Sequence, residues 1–496
     1  MRLIALLLFG YLATLPGTAT AAWHVAETAH FRVYADGPEA RLRLQAERLE
    51  KFDKALRLAR GVPETAPGPA GRLTVYLLAD RRQVAALAQN SGAAGAYFPR
   101  AGASVALVAD LPADDKAPGA MDAQAVLFHE YAHHFLATTW PSAAMPLWVA
   151  EGWAEFNATA TFRKDGTILV GKAPAYRAAD LQAPSALPLA SILAGTADPV
   201  RPEERAALYG RSWALVHYLT FAPARQGQLS AYLRAILERG QTPAEAAAVF
   251  GDAAVLEREL QRFLGRLRIQ GYVLKPTLLA IPPVTLRSLR AGEAAILPVQ
   301  VRLFSGLGAA AARALQPEAQ AIAARFPDDA TVQRTLAAVA NAAQDYAAGL
   351  AAADAALRAD PMLVAAHCDR ALALIGLAVA TQDRRAERWA DIRATIARAR
   401  QIDPDDPRPP ELLYRSYLVT GETPPLEARN ALVRAFELAP QDRSLRMQTA
   451  RMLIAGGQAS AARALLQGLV GDPHAAWIGA EAAALIRSLE APPAFR

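Results

Sequence analysis

The sequence predicts an α+β domain followed by an all-α domain of helical repeats. Three observations carry this reading. Short β-like runs alternate with helical periodicity up to about residue 120, and helical stretches dominate from there to about residue 270. Beyond residue 306, Ala-rich amphipathic segments recur with prolines at a near-constant spacing.

Length and composition fit two large units. A chain of 496 residues exceeds one ordinary domain, so two or three are expected. With 53% hydrophobic and 20% charged residues, the chain is globular rather than disordered. The net charge of +6 comes mostly from Arg scattered among Asp and Glu. Nucleic-acid binding needs a clustered basic face, so no nucleic-acid partner is expected. The single cysteine, Cys368, cannot form an intrachain disulfide and by itself would suggest a reducing compartment.

The N-terminus points elsewhere. In "MRLIALLLFGYLATLPGTATAAW", Arg2 precedes an apolar run from Leu3 to about Leu15, and Ala19-Thr20-Ala21 forms an A-x-A processing site. Residues 1–21 thus have the pattern of a secretory signal peptide. The competing reading is an uncleaved anchor, but the run is short of the roughly 20 residues a span requires. The mature chain is expected to start near Ala22, to be exported (periplasmic or secreted), and to contain no membrane span.

The first domain is expected over residues 22–270. "HFRVYA" (His30–Ala35), "RLTVYLLA" (Arg72–Ala79) and "ASVALVAD" (Ala103–Asp110) read as strands, and 38–60 as a helix ending before Gly61. The turn-rich "GAYFPRAG" suits a hairpin arm. Residues 121–270 read as mostly helical, with "TILVGK" (Thr167–Lys172) as an inserted strand. Residues 271–305, with "KPTLLAIPPV" and "AAILPVQVRLF", read as a connecting segment of short β-like runs.

Residues 306–490 repeat. Pro327, Pro361, Pro404, Pro440 and Pro473 follow the amphipathic segments at spacings of 34, 43, 36 and 33. A tetratricopeptide (TPR) unit has a period of about 34 residues, two helices, and a proline near its end. The wider spacing suggests an insertion around "AVATQDRRAERW". Such units cannot cover their own apolar faces and must stack. An irregular helical domain is the competing reading.

The chemistry lies in "AQAVLFHEYAHHFL" (123–136), within a helix expected over 122–139 with Asp122 as its cap and Pro141 beyond its end. His129 and His133 are i and i+4, so both imidazoles share one face and can bind one Zn²⁺. Glu130 follows the first ligand and can reach a water beside it, the logic of H-E-x-x-H. His134 is rotated about 100° from His133 and belongs to another face. A third ligand comes from "PLWVAEGWAEF": Glu151 and Glu155 follow His133 by 18 and 22 positions. Pro146 suits the first turn of a second helix, which a short connection lets fold back on the first. Glu151 then enters the site, and Glu155, a turn later, can accept a hydrogen bond from a histidine N–H.

These paired motifs resemble those of the gluzincin metallopeptidases, which include thermolysin, the aminopeptidase N family and exported peptidase-MA-like families. In them H-E-x-x-H is followed on a second helix by a glutamate ligand, often as E-G-x-A, and this chain has "EGWA" there. The resemblance covers about residues 23–265 and is most specific over 126–156. It implies a zincin-like metallopeptidase domain, Zn²⁺ as cofactor, His129, His133 and Glu151 as ligands, and Glu130 as general base. Glu155 falls at a position where thermolysin-like enzymes place a carboxylate behind the ligands.

In "ALYGRSWALVHYLTF", Tyr209 with Arg211 and Ser212 is similar, with two substitutions, to the Y-x-K-G motif whose tyrosine assists the oxyanion in aminopeptidase N relatives. An ordinary helix-start tyrosine is the alternative. His217 on the same segment reads as core or as a support behind the ligands. One motif departs from the family. The G-x-M-E-N element that holds a substrate amine in aminopeptidases has only "GAMD" (Gly119–Asp122) as a counterpart, seven positions before His129, where it caps the helix. That points away from aminopeptidase specificity.

The expected activity is zinc-dependent hydrolysis of a peptide or protein substrate, with an edge strand from 72–110 pairing with the extended chain. The alternative is a scaffold whose TPR-like repeats hold a protein partner while the zinc domain is inactive or structural. Two roles are open for the repeats: recruiting a partner or substrate, or only stabilising the first domain.

Overall fold

The computed structural model describes residues 23–88, 95–109, 121–141, 145–182, 187–197, 201–265, 270–470 and 476–490. The expected signal peptide (1–21) and Pro473 lie outside them, as do Gly119 and Ala120 of "GAMD". No described helix is long and apolar enough to cross a membrane.

The described strands are β1 (Trp23–Glu27), β2 (Phe31–Asp36), β3 (Leu73–Leu78), β4 (Gly95–Phe98), β5 (Val105–Ala109), β6 (Thr161–Phe162), β7 (Ile168–Val170), β8 (Tyr272–Leu274) and β9 (Thr285–Ser288). The larger sheet has the order β4-β5-β3-β2-β1-β9, and β6, β7 and β8 form a smaller one. β2, β3 and β5 run parallel. β4 turns back antiparallel on β5, with Tyr97 opposite Ala106, so "GAYFPRAG" does contribute a hairpin arm. β1, absent from the sequence reading, pairs antiparallel with β2 on one side and β9 on the other.

Three helices sandwich this sheet: α1 (Glu39–Arg60), α2 (Arg81–Ala88) and α3 (Ala123–Thr139). β3 and β5 are buried at every residue, the pattern of strands covered on both faces. Val33, Val75, Leu77, Ala106 and Val108 join one core with α1 and α3. Tyr76, Leu78, Val105 and Leu107 join a second core with Val84 of α2.

Next come α4 (Leu147–Ala158), α5 (Ala178–Gln182), α6 (Leu189–Leu193), α7 (Pro202–Phe221), α8 (Gln228–Leu237), α9 (Pro243–Ala246) and α10 (Ala253–Leu264). Pro146 occupies the N-cap of α4 rather than its first turn. α4 and α7 approach closely at Gly152. A Cβ there would stand 2.4 Å from the Ser212 carbonyl oxygen, so the glycine of "EGWA" is a packing requirement.

The expectation of β-like runs through residue 305 needs correcting. β8 and β9 are short strands, but each completes a sheet of the first unit, and Ala291–Phe304 is a helix, α11, with Pro298 inside it. Its apolar residues face two ways. Leu297 and Val301 cover the back of the large sheet, whereas Ile296 and Val299 pack into the helical array. A helix buried on both sides is apolar all round and loses the periodicity that marks it. That double burial offsets the roughly 3 kcal/mol an internal proline costs.

The array continues with α12 (Ala309–Arg325), α13 (Ala330–Ala342), α14 (Tyr346–Ala359), α15 (Val364–Ala380), α16 (Ala386–Ile402), α17 (Arg408–Leu418), α18 (Leu426–Leu438), α19 (Arg443–Ala455), α20 (Ala459–Val470) and α21 (Ala476–Glu490). From α13 to α20 these form stacked TPR-like hairpins. Pro327, Pro361, Pro404 and Pro440 each sit in the turn before the first helix of a pair. The wide spacing comes mainly from longer helices, with a smaller share from a longer loop between them. α15 and α16 have 17 residues each, against 13 and 14 in α13 and α14.

Candidate metal centre

α3 begins where Asp122 caps it, its carboxylate accepting from the Ala125 N–H. The i, i+4 spacing then places His129 and His133 side by side, Nε2 to Nε2 at 3.2 Å. α4 folds back against α3 and inserts Glu151, whose side chain is fully buried. One carboxylate oxygen lies 3.4 Å from His129 Nε2 and the other 3.6 Å from His133 Nε2. Two helices thus converge three donor groups on one point.

The triangle has the dimensions of a metal site. For bonds of about 2.0–2.1 Å, tetrahedral ligands stand about 3.3–3.4 Å apart. The closest approaches, 3.2 Å between the two Nε2 atoms and 3.4 and 3.6 Å from them to the two separate oxygens of Glu151, lie around that value, and one donor atom from each residue lies within 4.8 Å of the others. Charge argues the same way. Burial lowers the pKa of His129, but the hydrogen bond to Glu151 and the charge of Glu155 overcome it and raise the pKa to about 9. Burial likewise pushes Glu151 up, yet His133 and His129 hold it well below the usual carboxylate range. Glu130, Glu151 and Glu155 all act on His129. A pocket this anionic suits a divalent cation. His129, His133 and Glu151 therefore fit a Zn²⁺ ion in donor type, spacing and charge.

Glu130 sits half-buried beside the ligands. Among the described residues no hydrogen bond or ion pair claims its carboxylate. Tyr209 of α7 enters the same site, its ring centroid 6.4 Å from that of His129. Burial, followed by the charge of Glu151, raises its pKa and keeps the phenol protonated. Arg211 points elsewhere and pairs with Glu257 of α10.

Glu155 is in the expected place but in unexpected company. Its Oε1 lies 3.8 Å from His129 Nδ1, too far for a hydrogen bond. Arg177 Nη2 and Nε donate to Oε1 at 2.7 and 3.1 Å, and the Tyr176 hydroxyl donates to Oε2 at 2.8 Å. With its oxygens so held, the carboxylate acts on His129 through charge alone. His129 Nδ1 keeps no hydrogen-bond partner among the described residues. The Arg177 guanidinium also lies over the Tyr209 ring, 5.2 Å from its centroid. Tyr176 and Arg177 escaped the sequence reading. They stand on a single turn, "AYR", that follows β7, and no spacing links them to Glu155.

The other histidines separate as expected. His134 faces away from the triangle, its Nδ1 2.7 Å from the Tyr97 hydroxyl, and burial drives its pKa down to about 4. His217 is wholly buried among Phe156, Trp213, Phe221 and Phe263, and its Nε2–H donates to the Gln270 carbonyl at 2.7 Å. It is a core residue.

No family model matches the chain. No curated protein sequence matches it. Solved structures similar to part of it include two helical repeat proteins. A thermophilic TPR protein of Thermus thermophilus is 15% identical, with a TM-score of 0.34, over 40% of this chain and 100% of that one. The MamA RS-1 ArsTM double mutant is 14% identical, with a TM-score of 0.26, over 40% of this chain and 94% of that one.

Proposed function

We propose that residues 22–270, completed by β9, form a gluzincin-like zinc peptidase that hydrolyses peptide bonds in an extended polypeptide. The observation that carries this reading is the buried His129–His133–Glu151 triangle with the uncommitted Glu130 carboxylate at its rim. When bound, Zn²⁺ supplies Lewis acidity and lowers the pKa of water at that point. Glu130 takes a proton from the attacking water and returns it to the leaving amine, so one water is consumed for each bond broken. The Tyr209 phenol donates to the negative charge that develops on the carbonyl oxygen. β4, an edge of the large sheet among the described residues and beside α3, offers backbone groups to an extended substrate. The signal-like N-terminus supports export, to a periplasm or beyond.

The stacked hairpins support a second reading, a protein-binding scaffold with a structural zinc site. Structural sites more often close with four protein ligands. Among the described residues three converge here. The deciding experiment pairs metal analysis with peptide-library cleavage by wild type and Glu130→Ala. Zinc retained at the wild-type level with all hydrolysis lost is the expected result. A wild-type chain that takes up no zinc, or a variant that still cleaves, sinks the peptidase reading.

A further inference from the structure

The loop joining β4 to β5 is gripped by the helical repeats. Asp442, the N-cap of α19, accepts the Leu445 N–H with one oxygen and the Ala101 N–H with the other, the latter at 2.7 Å. Its neighbour Gln441 donates from Nε2 to the Arg100 carbonyl at 3.2 Å and to the Ser104 hydroxyl at 3.3 Å. Arg100 in turn donates to the Phe304 carbonyl at the end of α11, at 2.6 Å. Ala101 packs against the core of the later repeats. Gly102 lies so close to Arg408 of α17 that a Cβ would stand 2.4 Å from its Cδ. One short loop therefore touches three separate helices of the array.

β4 itself, along its length, is fixed to α3. The Tyr97 hydroxyl meets His134 Nδ1 at 2.7 Å, one residue from His133. A Cβ on Gly95 would stand 2.2 Å from a Val126 methyl, so strand and helix are in direct contact. Among the described residues, β4 has a hydrogen-bonded neighbour on one side only. A four-residue edge strand held by one partner strand is weakly ordered by itself.

We propose that the repeats act in cis, with Gln441 and Asp442 as positioning residues that hold β4 at the height where an extended substrate pairs with it over the metal centre. This rests on the peptidase reading. It assigns the array a task within the chain: its helix starts between α17 and α19 are occupied by the first domain's own loop.

The test uses full-length Gln441→Ala and Asp442→Asn. Asn still caps α19, but its single acceptor oxygen cannot serve both Leu445 and Ala101. Amide hydrogen exchange over 95–101 is expected to speed up about tenfold, while β3 and α3 keep wild-type rates. Zinc content stays at the wild-type level. KM for an extended peptide rises about tenfold with kcat unchanged. Unchanged exchange at β4 overturns the proposal. So does exchange that rises equally throughout, which marks a purely stabilising contact, or a fall in kcat at constant KM. The exchange measurement needs no turnover. A wild-type chain that cleaves nothing defeats the peptidase reading alone, and exchange still decides whether the repeats hold β4.

Discussion

Arg177 and Glu155 stand 22 residues apart in the chain and meet at 2.7 Å, Nη2 to Oε1, at a carboxylate that no solvent reaches. The pair places a fixed negative charge behind His129 and a cation over Tyr209. It links the two sides of the candidate site, and it is open to a direct energetic test.

Removing Arg177 leaves a buried carboxylate without its cation. Arg177→Met is expected to lower unfolding stability by about 3–5 kcal/mol in urea titrations. Arg177→Met with Glu155→Gln should recover much of that loss, because no charge is then stranded. If the two single losses simply add in the double variant, the pair is not coupled as described.

Gly152 tests the packing under the candidate metal ligands. Gly152→Ala drives a methyl into the Ser212 carbonyl and must separate α4 from α7. A loss of about 1–3 kcal/mol is expected. Zinc affinity should fall with it, since Glu151 is the adjacent residue. A variant of wild-type stability and zinc content would show that the two helices can move apart freely.

Metal removal gives a third outcome. Ligand that binds only the folded state, at about 100 times its Kd, stabilises by about 2.7 kcal/mol. A chelator should therefore lower the Tm of the wild type. Glu151→Gln should melt at one temperature with or without zinc. A Tm indifferent to zinc in the wild type contradicts the assignment of the triangle.

His30 and Glu50 provide a pH test on a buried pair outside the donor triangle. The His30 ring Nδ1 lies 2.7 Å from Glu50 Oε1, both deeply buried. Burial lowers the pKa of His30, but the hydrogen bond to Glu50 raises it above its ordinary 6.5. Burial raises that of Glu50, but His30 carries it below 4.5. The histidine's contribution is complete below pH 6.5 and fades as pH rises through its raised value. The glutamate's is complete above pH 4.5 and fades as pH falls through its lowered value. The pair therefore stabilises most between those two ordinary values. Denaturation of wild type and His30→Gln across the range from acid to mildly alkaline should show the largest gap near pH ~5–6, shrinking above neutrality. A gap that does not vary with pH refutes the ion pair.

The donor triangle was legible because its spacing is local. His129 and His133 share a face by helical geometry alone, and Glu151 needs only a second helix that folds back. Glu155 was placed correctly, but its partners were not. Tyr176 and Arg177 reach it through the path of β7, a tertiary event without a local signature. α11 was misread because burial on two sides erased its periodicity. β1 was missed because it is five residues long and follows directly on the expected processing point. The repeat boundaries were legible because the prolines before α13, α15, α17 and α19 mark turns that helices cannot cross.

β9 carries a consequence for synthesis. The helices α3 and α4 that carry the donor groups are complete by residue 158, but the sheet beneath them gains its last described strand only at Thr285–Ser288 and its back cover only with α11. A chain growing from its N-terminus therefore holds an open sheet edge for more than a hundred residues after its donor groups exist. The first unit cannot close until the helical array has begun to emerge. Closure of the sheet around the candidate site is thereby delayed until after Ser288.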